Sequence, residues 1–191
     1  MRPMRVGDLP QVAAMHAASW RTAYRGILSD AYLDGDIIAD RERAWEARRG
    51  EVESGSRVAL VVEGHERHGP SHRILGFAYV IPEADPVHGS CLDNLHVVDG
   101  ARSLGLGAQL LLRAGLDLAD RKPAHRGLYL WVYAANVRAQ RFYERHGARS
   151  VGSRTHPAAD GRNVAALRYA WHDVSDVVGL SSGSSSDTIV P

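Results

Sequence analysis

Three small groups of residues have types and spacings suited to chemistry. The first is Arg102-x-x-Gly105-x-Gly107 within "DGARSLGLGAQLLL". Glycine is a poor helix former, yet two stand where a strand-like run gives way to a helical one. The first turn of a helix leaves backbone N–H groups unpaired, and its dipole favours negative charge there. Glycines let a ligand approach that backbone with no Cβ in the way. An arginine adds a planar fork that suits phosphate. The stretch reads as an anion site, with a turn that merely packs the helix on its sheet as the plainer alternative. It is not a P-loop, which ends in Gly-Lys-Ser/Thr, because Ala108 and Gln109 follow Gly107. Nor is it the dinucleotide fingerprint, which needs glycine or alanine in the sixth place, where Leu110 stands.

The second group is His88, Cys91 and Asp93, which invites a thiol-nucleophile reading. Triads are assembled in space, so closeness along a strand proves little, and Cys91 reads better as a small buried apolar residue. The third group, His65, His68 and His72, shares one polar loop. Its spacing matches no structural zinc pattern and no cysteine joins it. A solvated loop is expected there, and no metal.

These residues need elements to position them. Asp8 is placed to cap a helix with Pro10 in its first turn. Leu9, Val12, Ala13, Met15, His16 and Trp20 then follow at helical spacing. Ser29 or Asp30 can cap a second segment around "AYLDGD". Ile38, Arg41, Trp45 and Arg48 continue helically as far as Gly50. "RVALVVEG", "RILGFAYVI" and "CLDNLHVV" are strand-like, the first two joined by the polar loop "HERHGPSH". The glycine stretch opens a long helix to about Arg121. "GLYLWVYA" reads as a buried strand, "NVRAQRFYERHG" as a helix with a glycine C-cap, and "ARSVGSR" and "VAALRYAWHD" as two last strands. The order predicts a mixed α/β sheet. The three strands before the long helix form an antiparallel meander, and the strands on either side of that helix run parallel through a right-handed crossover.

The whole chain sets limits. Its 191 residues are 45% hydrophobic and 24% charged, the profile of one ordinary globular domain. A net charge of +1 gives no overall basic field and argues against nucleic acid as the main partner. The single cysteine excludes an internal disulfide framework and fits a reducing compartment. No signal-peptide core and no membrane-length apolar run is present, so a cytoplasmic protein is expected. Residues 1–177 read as one domain and 178–191 as a flexible Ser/Gly-rich tail.

The chain resembles the GCN5-related N-acetyltransferase (GNAT) family. "LDNLHVVDGARSLGLGAQLLL" is similar to the family's acetyl-CoA motif, and "LYLWVYAANVRAQRFYERHGARSVG" to the motif beside it. "SWRTAYRGILSDAYL" is similar to the first helices of many members. The likeness runs from Met1 to about Asp173. One departure is at the start, where the family's opening strand must be short or missing because only about seven residues precede Asp8. The resemblance implies the acyl-CoA N-acyltransferase fold, a mostly antiparallel sheet with a central, splayed parallel pair flanked by helices.

It also implies roles. Acetyl-CoA is the expected donor. Its pyrophosphate would lie on Arg102, Ser103, Leu104, Gly105, Leu106, Gly107 and Ala108. Its pantetheine arm would pair with Leu95, His96 and Val97 by strand addition, the Val97 N–H polarising the thioester carbonyl. Asn136, Ala139, Gln140, Phe142 and Tyr143 would line the other side. The Asn136 amide can both donate and accept toward the arm, although asparagine is equally at home as a helix N-cap. Tyr143 lies two helical turns after Asn136 on the same face. The family role for it is to protonate the departing thiolate, which a phenol with an ordinary pKa of about 10 can do; a core aromatic is the plainer alternative. Many members use a glutamate as base at the position of Cys91. Here Asp93, two residues on, is the leading candidate, with Glu83, His88 and water as competitors and substrate orientation as its other role. Arg138 and Arg141 flank the cofactor helix, as CoA contacts or as solvated charges. Trp20, Trp45, Trp131 and Trp171 read as core or substrate-wall residues.

The implied reaction is direct attack of an amine on the acetyl thioester. The alternative is a non-catalytic CoA-binding module on the same fold. The acceptor is a small-molecule amine or a peptide amine (a protein N-terminus or lysine), walled by Trp20 to Tyr32 and by the loop near His156. A homodimer through the last strands is compatible with the resemblance.

Overall fold

The computed structural model describes residues 1–64 and 73–179. Among them are β1 (Arg2–Pro3), α1 (Leu9–Ala23), α2 (Asp30–Asp34), α3 (Ile37–Glu46), α4 (Arg49–Glu53), β2 (Val58–Gly64), β3 (Arg73–Asp85) and β4 (Gly89–Val97). Then come α5 (Leu106–Asp120), β5 (Leu128–Tyr133), α6 (Val137–Arg145), β6 (Arg149–Pro157), β7 (Asn163–Trp171) and α7 (Val174–Gly179). The strands form one sheet in the order β1-β2-β3-β4-β5-β7-β6. Every adjacent pair is antiparallel except β4 and β5. The meander and the parallel crossover through α5 are as the sequence order predicts. The short opening strand is β1, two residues set against β2.

Two apolar layers hold the sheet. On one face α5 buries Leu110, Leu111, Ala114 and Leu118 against Leu60, Val62, Ala78, Leu92, Leu130 and Val132. On the other, α1 and α3 bury Val12, Ala13, Met15 and Trp45 against Val61, Phe77 and Tyr79. Leu110 is fully buried, and truncation of such a leucine to alanine costs about 2–5 kcal/mol.

Several boundaries differ from the sequence reading. Asp8 does begin α1, but its carboxylate does not cap it. It accepts the Arg5 N–H at 2.7 Å and pairs with Arg2 at 2.7 Å, which closes the turn before the helix. Ser29 does cap α2, accepting the Tyr32 N–H at 3.3 Å. The helical run does not stop at Gly50: α3 ends at Glu46 and Gly50 lies inside α4. At the C-terminal end a helix the sequence reading did not include, α7, buries Val174 and Val177 on α5. The rest of the expected tail, 180–191, and the loop with His65, His68 and His72 lie outside the described residues.

Candidate active site

The parallel pair is joined at one end only. Register between β4 and β5 is confined to Ser90↔Leu128 and Cys91↔Tyr129. The Ser90 N–H donates to the Gly127 carbonyl at 2.9 Å. Beside it Gly89 has a φ of +80°, and a Cβ there would lie 2.3 Å from the Gly127 oxygen, so only glycine allows the approach. Past Cys91 the strands part. The register of β4 on β3 passes from Val80↔Leu92 to Tyr79↔Asn94, leaving Asp93 as the extra residue of a β-bulge, a feature that bends its strand. The sequence reading put Asp93 on the face of Cys91 by simple alternation. The bulge interrupts that alternation, yet Asp93 still reaches Arg48, which lies over Trp45 and Tyr79 on the α1 face.

The gap opens a cavity of about 460 Å³. Leu92 to Val97 form its β4 wall, and Trp131 and Val132 its β5 wall. The Val98 N–H donates to Leu75 of β3 at 2.9 Å. N–H directions alternate along a strand, so that of Val97 turns toward the gap.

At the cavity's end a 3-10 turn, Asp99–Leu104, passes into α5 through Gly105, whose φ of +70° is left-handed. A side chain is strained there. A Cβ on Gly107 would lie 3.4 Å from the Phe142 ring and 3.9 Å from Val97, both cavity residues. The first N–H groups of α5 therefore stand bare over the cavity floor. Arg102 lines it too, held by Asp99 at 2.6 Å. This cradle, with no Cβ to fill it, fits a pyrophosphate.

Of the expected residues, Asp93, Leu95, His96, Val97, Arg102, Ser103, Gly105, Gly107, Ala108, Asn136, Ala139, Phe142 and Tyr143 line this one cavity. Three do not. Leu104 is 60% exposed, Leu106 packs on the core, and the Gln140 amide donates to the Tyr133 and Ala134 carbonyls, tying α6 to the end of β5. Arg138 lines the cavity and Arg141 does not. Asn136 caps α6, its Oδ1 accepting the Ala139 N–H at 3.1 Å. Its Nδ2 has no partner among the described residues, so cap and ligand contact are compatible. The Tyr143 hydroxyl likewise bonds to no described residue, whereas Tyr169 donates to Glu144 at 2.6 Å. Burial pushes the Tyr143 phenol upward and keeps it protonated.

The competing bases separate in space. Asp93 faces the cavity, paired with Arg48 at 2.7 Å and accepting from Asn94 at 2.6 Å. Glu83 accepts the Ala124 N–H at 2.8 Å, and the His88 ring packs near Tyr129; neither lines the cavity. Burial, with the Asp93 charge behind it, pushes the Cys91 thiol up to about 12, far from a reactive thiolate.

Sequence reasoning placed one acceptor wall at Trp20 to Tyr32, and Tyr24 of that stretch lines the cavity; it missed Ser19, Asn94, Arg145 and His146, which line it too. The Ser19 hydroxyl meets His96 Nδ1 at 2.9 Å. The Trp45 indole donates to His16 Nδ1 at 3.1 Å, and the two imidazoles lie 4.6 Å apart. Burial holds both neutral, His16 well below its usual value and His96 down to about 3. Asp160, in the loop between β6 and β7, accepts the Ser29 N–H at 2.7 Å, so the two expected acceptor walls are joined. Among the described residues no cluster of three or more His, Cys, Asp or Glu is placed to hold a metal, and no helix is long and apolar enough to cross a membrane.

A parallel pair that splays within an otherwise antiparallel sheet, opening on a glycine turn at a helix start, defines an acyl-CoA N-acyltransferase fold. Comparison with known proteins agrees. The model of the Acetyltransferase (GNAT) family matches residues 15–148. A probable N-acetyltransferase of Mycobacterium tuberculosis is 30% identical over 138 residues, 72% of each chain. The ribosomal-protein-alanine N-acetyltransferase of Brucella melitensis shares the fold at a TM-score of 0.62, with 22% identity over 90% of this chain and 98% of that one. The spermidine N-acetyltransferase of Vibrio cholerae, in complex with CoA and spermine, does so at 0.64, with 16% identity over 93% and 96%. The chain belongs to the GNAT acetyltransferase family. It is an acetyl-CoA-dependent N-acetyltransferase.

Proposed function

We propose that acetyl-CoA lies in the gap between β4 and β5, with its pyrophosphate on the Gly105–Ala108 turn and its thioester between the Val97 N–H and the Tyr143 hydroxyl. The observation that carries this reading is the convergence of that turn, the open β4 edge, the free Asn136 amide and the unpartnered Tyr143 hydroxyl on one cavity. The thioester supplies an activated acetyl carbon, and the residues do the rest. Asp93 takes the surplus proton of the acceptor's ammonium, whose ordinary pKa, about 8 for an α-amino group and about 10.4 for an alkylamine, keeps it mostly protonated at neutral pH. The free amine attacks, the new C–N bond forms and the C–S bond breaks. Val97 N–H stabilises the carbonyl oxygen as charge develops on it. Tyr143 gives its proton to the sulfur, the nitrogen sheds its second proton to solvent, and Tyr143 is reprotonated from water.

The test is thiol release from acetyl-CoA with a panel of small amines and peptide N-termini, for the wild type and Asp93→Asn. The wild type is expected to show saturable release, competitively inhibited by CoA. Asp93→Asn should lose about tenfold or more in kcat near pH 7. The loss should shrink as pH approaches the acceptor's own pKa, because the amine then sheds its proton unaided. A deficit of equal size at every pH would remove Asp93 from the proton-accepting role. No release with any amine, despite CoA binding, would overturn the reading of the site.

A further inference from the structure

Besides Arg138 and Arg145, which line the cavity, the arginines around it fall into two sets. Arg41, Arg48 and Arg102 are each neutralised by a carboxylate, those of Asp40, Asp93 and Asp99 at 2.6 to 2.7 Å. The second set lies on the sheet beyond the cavity mouth. Register carries Tyr129 across Ala170 to Arg149, Trp131 across Arg168 to Gly152, and Tyr133 across Ala166 to Arg154. Cross-paired residues share a face, so Arg149, Arg154 and Arg168 all stand on the side of Trp131, a residue that lines the cavity. The Arg154 guanidinium lies 3.9 Å over the Trp131 ring and that of Arg168 lies 4.6 Å over it. Neither is held by a carboxylate within hydrogen-bond distance among the described residues. Arg154 and Arg149 make no ion pair with a described residue. Arg168 has only Asp85 at 3.9 Å, too far for a hydrogen bond, and its Nε is buried without an acceptor.

A guanidinium held over an indole by its charge leaves its N–H fork available to a carboxylate. Arg154 and Arg149 are exposed on β6. From Trp131 on β5 to β6 is two strand spacings, about 10 Å, and Arg149 to Arg154 is about 15 Å along β6. That is longer than a single amino acid and suits a few residues of extended chain.

We infer that this Arg149–Arg154–Arg168 strip holds the acceptor, and that the acceptor is the N-terminus of an acidic polypeptide. Its α-amino group enters the cavity past Trp131 while carboxylates at its next few positions meet the free guanidinium edges. The inference rests on the transferase reading and names the substrate class for it.

The experiment uses the full chain, acetyl-CoA and three peptides of equal length that begin with alanine and continue with aspartates, serines or lysines. The aspartate peptide is expected to exceed the serine peptide by about tenfold or more in kcat/KM, mainly through KM, with the lysine peptide lowest. The gap should narrow as salt is raised. Arg154→Glu should erase or reverse the order, and Arg154→Lys, which keeps the charge but not the planar fork, should keep part of it. Circular dichroism reports that each variant is folded. Peptides acetylated without regard to charge would overturn the inference and leave the transferase reading intact. So would an order unchanged in Arg154→Glu, or free glutamate acetylated as well as the acidic peptide. A dimer in solution that Arg154→Glu dissociates, with acceptor choice unaltered, would assign the strip to a second copy and also overturn it. If no amine is acetylated although acetyl-CoA binds, the transferase reading itself fails and this inference falls with it.

Discussion

The two halves of the cavity are built in different ways. The donor half comes from contiguous chain: the end of β4, the glycine turn, the start of α5, and α6 one crossover later. Its tools are backbone groups and two glycines. The acceptor half is assembled from far-separated side chains, Ser19 on His96, Arg48 on Asp93, Asp160 on the Ser29 N–H and Arg154 on Trp131. A backbone cradle needs a short fixed run of residue types, whereas a side-chain wall can be built from many. The donor half should therefore tolerate little substitution, and the acceptor half should set choice among substrates.

The largest expected effect tests the point where the halves meet. Tyr143→Phe removes a hydroxyl that no described residue holds, so little packing is lost. If that hydroxyl protonates the leaving sulfur, kcat falls by about 10²-fold while the Kd for CoA, measured calorimetrically, changes little. Unchanged turnover would make Tyr143 a core aromatic and leave the donor half without its acid.

A smaller effect isolates the donor half. Gly107→Val would put methyl groups beside Phe142 and Val97, in the space the bare helix start needs. The Kd for CoA should rise by about tenfold, with KM for the amine nearly unchanged once acetyl-CoA is saturating. Equal losses for both substrates would mean that the halves are not separable in this way.

That contrast also explains what the sequence could and could not tell. Gly105 and Gly107 were legible because a left-handed turn and a bare helix start admit few residues. Asn136 and Tyr143 were legible because seven residues of helix fix their common face. The element order was legible because the apolar periods change sharply at Arg57 and again after Val97. The β-bulge at Asp93 carries no sequence mark, since neither glycine nor proline is needed for it, and so alternation placed Asp93 too simply. Ser19 sits on α1 and Arg48 between α3 and α4, where they look like ordinary surface or interface residues. Only the tertiary approach of these elements to β4 sets Ser19 on His96 and Arg48 on Asp93. Helix α7 is short and borders the Ser/Gly-rich end, and its two buried valines were too few to signal a helix.

The smallest effect belongs to the acceptor half and is read through stability. His16 and His96 are buried against Trp45, Phe77 and Ser19, with Arg41 and Arg48 near the first and Arg41 and Arg102 near the second. All of these surroundings disfavour a second positive charge, so both folded-state values lie below the unfolded value of about 6.5. Above that value neither state is charged and stability does not respond. Below it the unfolded chain takes up protons that the folded chain refuses, so stability falls as pH falls. The loss begins near the unfolded value and continues to the folded one, which for His96 is about 3. At pH 6 each histidine should cost about 0.8 kcal/mol relative to pH 8. The paired carboxylates, whose folded values are lowered from 3.8 or 4.5, do not contribute until more acid conditions. Urea unfolding followed by tryptophan fluorescence at pH 8 and pH 6 would show the fall. In His96→Gln the His96 share, about 0.8 kcal/mol, should vanish, with the rest remaining on His16 and on His156, which burial also lowers. A fall unchanged in His96→Gln would mean that the acceptor wall admits water and leaves His96 free to take a proton in the folded chain.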